Sequence, residues 1–479
     1  MIRSLGSTAA LILILAGAIC GQSIQEHLSY DFVGGGARAE AMGNAYVALS
    51  DDITAGAWNP AGLMAHEGPM LGASFGSLTP SGYTNANVQW HVWRKDHSGS
   101  LRSVSGLNFL APVRIKGRPV VGSISFTRSF EEFYSIAYNA VYEAPIYVFR
   151  NNLLVQEIFQ VDHAVTGQLE GGVNTVTFAF GTRLYKELDL GIGVNIYGGK
   201  TVSEDYTLDV IDGYPLPIGS QPVRVTEEYL NIDTSKFSGT NFTVGLKWSG
   251  EKISTGLLVR TPFDLNRKQG LSLYRVTAVN GQPVEDGTDT TFFDNILIKY
   301  EMPLMVTAGV AYQARENFVL TADAEFRHFS GSKVRVRDSL MIDPEGNNEE
   351  FFTDIETGWN DVFVMRFGSE YVMDTKIGKI PLRAGLGFVP LPAPNKGDTK
   401  TPVMSYNFPH MIFLPFVKLF NNDDTPMRYT FSVGTGFQWS QIFLEWAYTY
   451  STLSRDYQED VLLAKIRNHH FGFTFTGYF

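Results

Sequence analysis

The chain has 479 residues, with 38 Lys and Arg against 49 Asp and Glu and a formal net charge of −11. That balance argues against a nucleic-acid partner, which needs a basic face. Hydrophobic residues make up 44% of the chain, but beyond the N-terminus no stretch approaches the roughly 20 apolar residues of a membrane-spanning helix. Spanning strands are not excluded, because only every second residue of such a strand must be apolar.

Arg3, the short apolar run Ala9 to Ala18 and the small-x-small pattern Ala18-Ile19-Cys20 before Gly21 read as a secretory signal over residues 1–21. Cys20 is the only cysteine. Ile19 before it is too bulky for lipoprotein processing, so neither disulfides nor a thiol nucleophile are expected in the mature chain. Residues 22–68 differ from the rest of the chain. Gly34 to Leu49 is rich in small residues and is expected to be helical. A second short helix is expected after Ser50-Asp51-Asp52, with Ser50 as its cap and the aspartates at its positive end. Pro60 is expected to end it. The segment cannot bury a core alone, so it must pack against something else.

Residues 69–479 read as strands in pairs. Phe242, Val244, Leu246 and Trp248 alternate with Thr243, Gly245 and Lys247. After the turn at Gly250-Glu251, Ile253, Thr255, Leu257 and Val259 alternate with Ser254, Gly256 and Arg260. The same pattern joins 174–185 to 188–199, and Val306–Tyr312 to Phe318–Phe326. It joins 361–372 to 380–389 and 428–439 to 441–451. Long polar or mixed segments (131–172, 201–237, 264–300, 330–358, 390–427, 452–466) separate the pairs and are expected to be loops. Short turns on one side and long loops on the other mark an outer-membrane barrel, with the short turns toward the periplasm. The expected fold class is an all-β transmembrane antiparallel barrel of about fourteen strands with an N-terminal helical plug in its lumen. Residues 69–94 could hold one strand or a strand and a piece of the plug.

Charges on these strands sit at alternate positions: Arg183, Asp189, Lys247, Arg260, Asp323, Glu325, Arg327, Arg366, Glu370, Arg383 and Glu445. On the lipid face each would cost a few kcal/mol, so all must face the lumen, most of them in mutual ion pairs. The last strand carries Phe471, Phe473, Phe475 and Phe479 on one face and His470, Gly472, Thr474, Thr476 and Tyr478 on the other. Such a stripe at a soluble sheet edge would invite aggregation. It suits a lipid-facing strand that closes a barrel.

No motif carries catalysis. Gly72-Ala73-Ser74-Phe75-Gly76 lacks the strand-turn-helix setting of a nucleophile elbow. Adjacent strand residues His469 and His470 point to opposite faces and cannot share a metal. Gly34-Gly35-Gly36 lacks the strand that precedes a dinucleotide loop. No cofactor is implied.

The run Gly36-Ala37-Arg38-Ala39-Glu40-Ala41-Met42-Gly43-Asn44-Ala45-Tyr46-Val47-Ala48, then Asp51-Asp52 and Trp58-Asn59-Pro60-Ala61-Gly62-Leu63, resembles the FadL family of outer-membrane transporters of long-chain fatty acids and other hydrophobic compounds. Asn317 to Phe329, Leu382-Arg383-Ala384-Gly385 and the aromatic C-terminus also fit. The resemblance implies an outer-membrane monomer whose hatch carries Asn59, Pro60 and Ala61. Its ligand would be a hydrophobic small molecule, captured outside and released sideways into outer-membrane lipid through a kinked strand. By chain order that strand is Arg118 to Phe130, with Gly122 free to distort. The resemblance also implies that the barrel assembly machinery reads the strand ending at Phe479. Lys247, Arg260, Arg366 and Arg383 are candidate ligand contacts because they are lumenal and basic. The same N-terminal pattern occurs in the PorV family, which implies instead a barrel that binds or anchors secreted proteins.

Overall fold

The structure, a computed structural model, describes residues 35–88, 91–98, 100–150, 153–213, 223–284, 289–342, 348–392, 425–458 and 462–479. The expected signal, the start of the plug and most of 390–427 lie outside the described residues. In chain order the hatch contains α1 (Ala37–Ala41), α2 (Ala55–Trp58) and a 3-10 helix (Pro60–Ala65). The strands are β1 (Met70–Val88), β2 (His91–Ser98), β3 (Leu101–Ile115), β4 (Arg118–Arg150), β5 (Leu153–Tyr185), β6 (Leu188–Gly213), β7 (Val223–Ser249), β8 (Ile253–Arg260), β9 (Phe263–Val279) and β10 (Gln282–Pro283). They continue with β11 (Asp289–Met302), β12 (Met305–Arg315), β13 (Phe318–Arg327), β14 (Lys333–Ile342), β15 (Asn348–Glu356), β16 (Val362–Thr375), β17 (Gly378–Pro390), β18 (Met427–Trp439), β19 (Ile442–Gln458) and β20 (Leu462–Tyr478).

Antiparallel pairing runs from β1 through β3, β4, β5, β6, β7, β8, β12, β13, β16, β17, β18, β19 and β20 and returns to β1. Among the described residues these are the fourteen strands of a closed barrel. The first and last strands meet along a register running from Met70↔Tyr478 to Ala86↔Leu462. Closure therefore pairs the first wall strand with the last. The region 69–94 supplies one wall strand, β1, whose upper end folds into a hairpin with β2.

Side-chain alternation sorts the two faces. Phe180, Ile192, Phe242 and Phe471 are each more than half exposed on the outside. Asp189, Lys247, Asp323, Glu325, Arg327, Arg366, Glu370, Arg383 and Glu445 are buried within. Arg183 lies at the short-turn rim, where its half-exposed side chain pairs with Asp189 at 2.8 Å. The final strand behaves as its pattern requires: Phe471 and Phe475 point out, and Thr474 and Thr476 point in. Tight turns close the short-turn rim. At Lys116-Gly117 both residues have positive φ, 50° and 79°, the geometry of a two-residue hairpin that follows strand twist.

Most of the segments expected as loops are strands. β4 and β5 pair without a break from Val120↔Thr182 to Arg150↔Leu153, apart from one bulge. β6 and β7 pair out to Gly213↔Val223. β9, β11, β14 and β15 form a sheet above the wall, continuing β8, β12, β13 and β16. Two of the four breaks fall at Thr261-Pro262 and Pro303-Leu304, where proline removes a ladder donor. These hairpins escape sequence reading because they rise beyond the wall, where no lipid face forces an apolar residue at every second position.

The hatch also departs from expectation. Only Ala37–Ala41 of the first segment is helical. Ser50 caps nothing: its hydroxyl donates to the Tyr46 and Val47 carbonyls. Asp52 instead accepts from the Thr54 amide and hydroxyl at 2.8 and 2.6 Å just before α2. Pro60 starts the 3-10 helix, and Asn59 is both the end of α2 and the cap of that 3-10 helix.

Candidate functional site

A hatch of irregular backbone inside a barrel has open amide and carbonyl groups that water cannot reach, and these must be paired from the wall. The carboxylate of Asp323 accepts from the amides of Tyr46 and Val47 at 2.7 and 2.9 Å. Ser432 Oγ accepts from the Gly43 amide and donates to the Ala41 carbonyl. Lys247 Nζ donates to the Leu49 carbonyl. Thr474 Oγ1 accepts from the Ala37 amide. Asn59 joins three segments: its Nδ2 donates to the Val47 and Leu246 carbonyls at 2.9 and 3.2 Å, and its Oδ1 accepts from the Ala61 amide. The hatch lies so close to the wall that a Cβ on Gly191 would fall inside the backbone of Pro60, and one on Gly385 inside that of Gly43.

Arg38 provides the ionic tie. Its guanidinium forms a two-pronged pair with Glu370, both contacts at 2.9 Å, and donates to Asp51 at 2.7 Å. Burial opposes that charge, but Asp51 and Glu370 outweigh it and hold the guanidinium above its ordinary value. Arg383 extends the chain to Glu370 and Glu445 at 2.6 and 2.8 Å. Beneath this network, at the short-turn end, a cavity of about 260 Å³ lies between hatch and wall, lined by Arg38, Asp51, Asp52, Glu370 and Asp374 among others.

Above the hatch the lumen holds an apolar cluster. Tyr197 and Phe237 take inward positions on β6 and β7, and they are joined by Leu265, Met302, Phe329, Val334 and Trp359. Tyr197 stacks on Phe263 at 4.7 Å, and Phe329 meets Trp359 edge-on at 5.5 Å. On β6 the inward positions climb from Gly191, against Pro60, to Tyr197. At about 3.3 Å per residue Tyr197 is some 20 Å along the strand from the hatch seat.

The wall is interrupted beside this path. The β3–β4 ladder ends at Gly106↔Thr127. β3 continues against β1 through an irregularity to Leu101, while β4 finds a partner on that side again only at Ser135 and Ile136, against β2. Over Arg128 to Tyr134 the described pairing of β4 is on its β5 side alone. The stretch is about 20 Å long at strand rise. A bulge at Ser129 sets Phe130 opposite Val173, so Phe130 packs on the apolar cluster. Gly35, the first described hatch residue, stands at the lower edge, with Thr127 and Ser105 around it. Its carbonyl is held by Trp58 Nε1 at 2.9 Å.

Asn59, Pro60 and Ala61 are thus together at the hatch–wall contact. Gly122 is not at an opening. It is paired on both sides, to Ala111 and to Phe180, and the interruption lies further along the same strand. Three of the candidate ligand cations are committed elsewhere: Lys247 to the hatch backbone, Arg366 to Glu325 at 2.7 Å, and Arg383 to Glu370 and Glu445. The half-buried Arg260 stands at the end of β8, opposite Thr243 and Met305. Sequence reading missed the apolar cluster. Tyr197 and Phe237 were visible as apolar residues on an otherwise polar inward face, but Phe329 and Trp359 sat in segments with no strand alternation to place them.

Strand closure, an apolar exterior and a hatch bonded into the lumen define an outer-membrane-type β-barrel with an internal plug. Among solved structures the chain is similar to the Pseudomonas putida toluene transporter TodX (13% identity, TM-score 0.54, covering 94% of this chain and 100% of that one). It is also similar to a Pseudomonas aeruginosa FadL homologue (13%, TM-score 0.55, 94% and 98%) and to the CymD monoaromatic hydrocarbon channel (12%, TM-score 0.52, 94% and 99%). At these identities the likeness establishes the FadL-type fold that the hatch motif resembled. The profile of a family described as BamG matches residues 147–372, which include the β6–β7 hairpin and the upper sheet. A search of curated proteins gave no match.

Proposed function

We propose that the chain carries hydrophobic small molecules across the outer leaflet of an outer membrane and releases them sideways through the β3–β4 interruption. The observation that carries this reading is the placement of that interruption. It joins the apolar cluster above through Phe130, while the route straight down leads into charged groups around Arg38, Asp51 and Glu370. An apolar cargo moving down would have to leave apolar surroundings for ionic ones. Moving sideways it reaches lipid directly. The solved relatives whose names include toluene or monoaromatic hydrocarbons support a hydrophobic cargo.

The test is a staple. Ser103→Cys with Ser129→Cys, joined by a short bifunctional thiol reagent, closes the gap. Uptake of a fluorescent hydrophobic probe into cells should fall several-fold and recover when a cleavable reagent is reduced. Unchanged uptake in the stapled, well-assembled barrel would rule out the sideways route. A second reading, a barrel that binds other proteins, is favoured by the sheet of β9, β11, β14 and β15 above the wall and by the BamG match across it. Co-purification of a defined partner that is lost on trimming residues 271–293, which spares the apolar cluster, with probe uptake intact, would support it.

A further inference from the structure

The outward face of β6, β7 and β9 carries three lysines side by side. Lys200 stands opposite Lys236, and Lys236 opposite Lys268. All three are exposed. They point away from the lumen, because their chain neighbours Ser235, Phe237 and Arg267 are buried on the inner face. Like charges directly opposite each other on adjacent strands, about 5 Å apart, repel and destabilise the pairing. The same sheet pairs its other charges. Arg335 holds Asp264 and Glu301 at 2.9 and 3.0 Å, and Lys333 holds Asp354 at 2.8 Å. Among the described residues none of the three lysine ammonium groups has an ion-pair or hydrogen-bond partner. Glu170, an exposed acid on β5, lies diagonal to Lys200 across from Val202 and forms no ion pair with it. In a chain of net charge −11, such a row runs against the overall balance.

Height places the row at the top of the lipid-facing band. Below it, Ile196 and Ile192 on β6 and Phe242, Val244 and Trp248 on β7 are exposed on the outside. Ser238 and Thr240 lie between, with exposed hydroxyls. At about 3.3 Å per residue, Lys236 is about 40 Å along the strand from Trp248 at the short-turn rim. A strand tilt of about 40° makes that about 30 Å of height, against an apolar band about 25 Å tall. The lysines therefore reach the head-group level of the leaflet on the long-hairpin side. The exchange of β8 for β9 as the partner of β7 falls just below them.

We propose that this row binds the phosphorylated head group of an outer-leaflet lipid, whose acyl chains lie along the strip of Ile196, Ile192 and Phe242. A phosphate among the three ammonium groups replaces their mutual repulsion with attraction, and the nearby hydroxyls can donate to its oxygens. Each lysine at a charged membrane surface is worth about fivefold in binding. A free phosphate would leave the apolar strip unused. An acidic protein would have to reach the row at the level where lipid heads surround the barrel. The proposal is independent of the cargo route.

The experiment titrates lipid A, with its phosphorylated sugar head, into the full-length barrel in neutral detergent, and counts retained lipid by native mass spectrometry. Wild-type protein should bind it, less tightly as salt rises. The triple variant Lys200→Gln, Lys236→Gln, Lys268→Gln should bind on the order of 100-fold more weakly. Lys200→Arg with Lys236→Arg and Lys268→Arg should bind as the wild type does. Dephosphorylated lipid A should bind wild type no better than lipid A binds the glutamine variant. A glutamine variant, well assembled by its heat-shifted gel mobility, that keeps its affinity for lipid A overturns the proposal. So does wild-type protein that holds the dephosphorylated form equally well. Displacement of lipid A by an equal concentration of inorganic phosphate would make this a free-phosphate site, and capture of polyglutamate in preference to lipid A would make it a protein-docking site. Either result overturns the lipid assignment.

Discussion

At the scale of residues, Asn59 shows how one side chain can hold a plug. Its amide joins the Val47 carbonyl, the Leu246 carbonyl of the wall and the Ala61 amide. Asn59→Ala leaves buried groups unpaired at about 1–3 kcal/mol each. The hatch should then be cut faster by protease from the short-turn side, and probe uptake should fall, with the barrel still heat-resistant. Arg38 is the stronger tie. Arg38→Ala leaves Glu370 to Arg383 alone and takes the guanidinium from the partly exposed Asp51, a loss of about 1–3 kcal/mol. Denaturant unfolding of hatch contacts should shift accordingly, and Arg38→Lys should recover only part, because a lysine cannot grip Glu370 with two prongs. The motif Asn59-Pro60-Ala61 was legible in the chain. The wall groups that meet it, Leu246 and Gly191, lie far off in sequence and carry no local signal of their role.

At the scale of elements, the hatch and the β3–β4 pair are where function and stability meet. His66 closes the hatch, and its Nε2 donates to the Asp52 carbonyl at 3.1 Å. Burial, opposed by Asp52 and Asp51, pulls its pKa below 6.5. A released hatch would therefore take up a proton before the docked one does. Docking is at full strength above about pH 6.5 and weakens as pH falls from there toward the docked value. Protease sensitivity of the hatch should rise over that interval in wild-type protein and lose the dependence in His66→Gln. In β4, alternation made the wall part readable and the Arg118-to-Phe130 segment was a sensible place to look for distortion. The bulge at Ser129 was not readable. A bulge is set by the register of two paired strands, and β5 is a separate stretch of chain.

At the scale of the molecule, one closed sheet is continued on one side by β9, β11, β14 and β15. Proline marks two of the four junctions, and the wall pairing closes without the upper sheet. Replacing 264–300 by a short turn should leave a detergent-extractable barrel that still resists heat in gel electrophoresis. Loss of that resistance would show that the upper sheet helps hold the wall.

Alternation, with short turns joining the strands in pairs, determined that this chain is a barrel, because lipid and lumen impose opposite demands on successive side chains and leave that record in the wall strands. The N-terminal motif determined that the lumen is plugged. Only the tertiary structure decided where the wall opens, which basic groups are already bound to carboxylates or hatch carbonyls, and that aromatic residues from distant segments gather above the hatch. Each of these depends on which strands lie side by side, and pairing between remote segments leaves no periodic trace within either one.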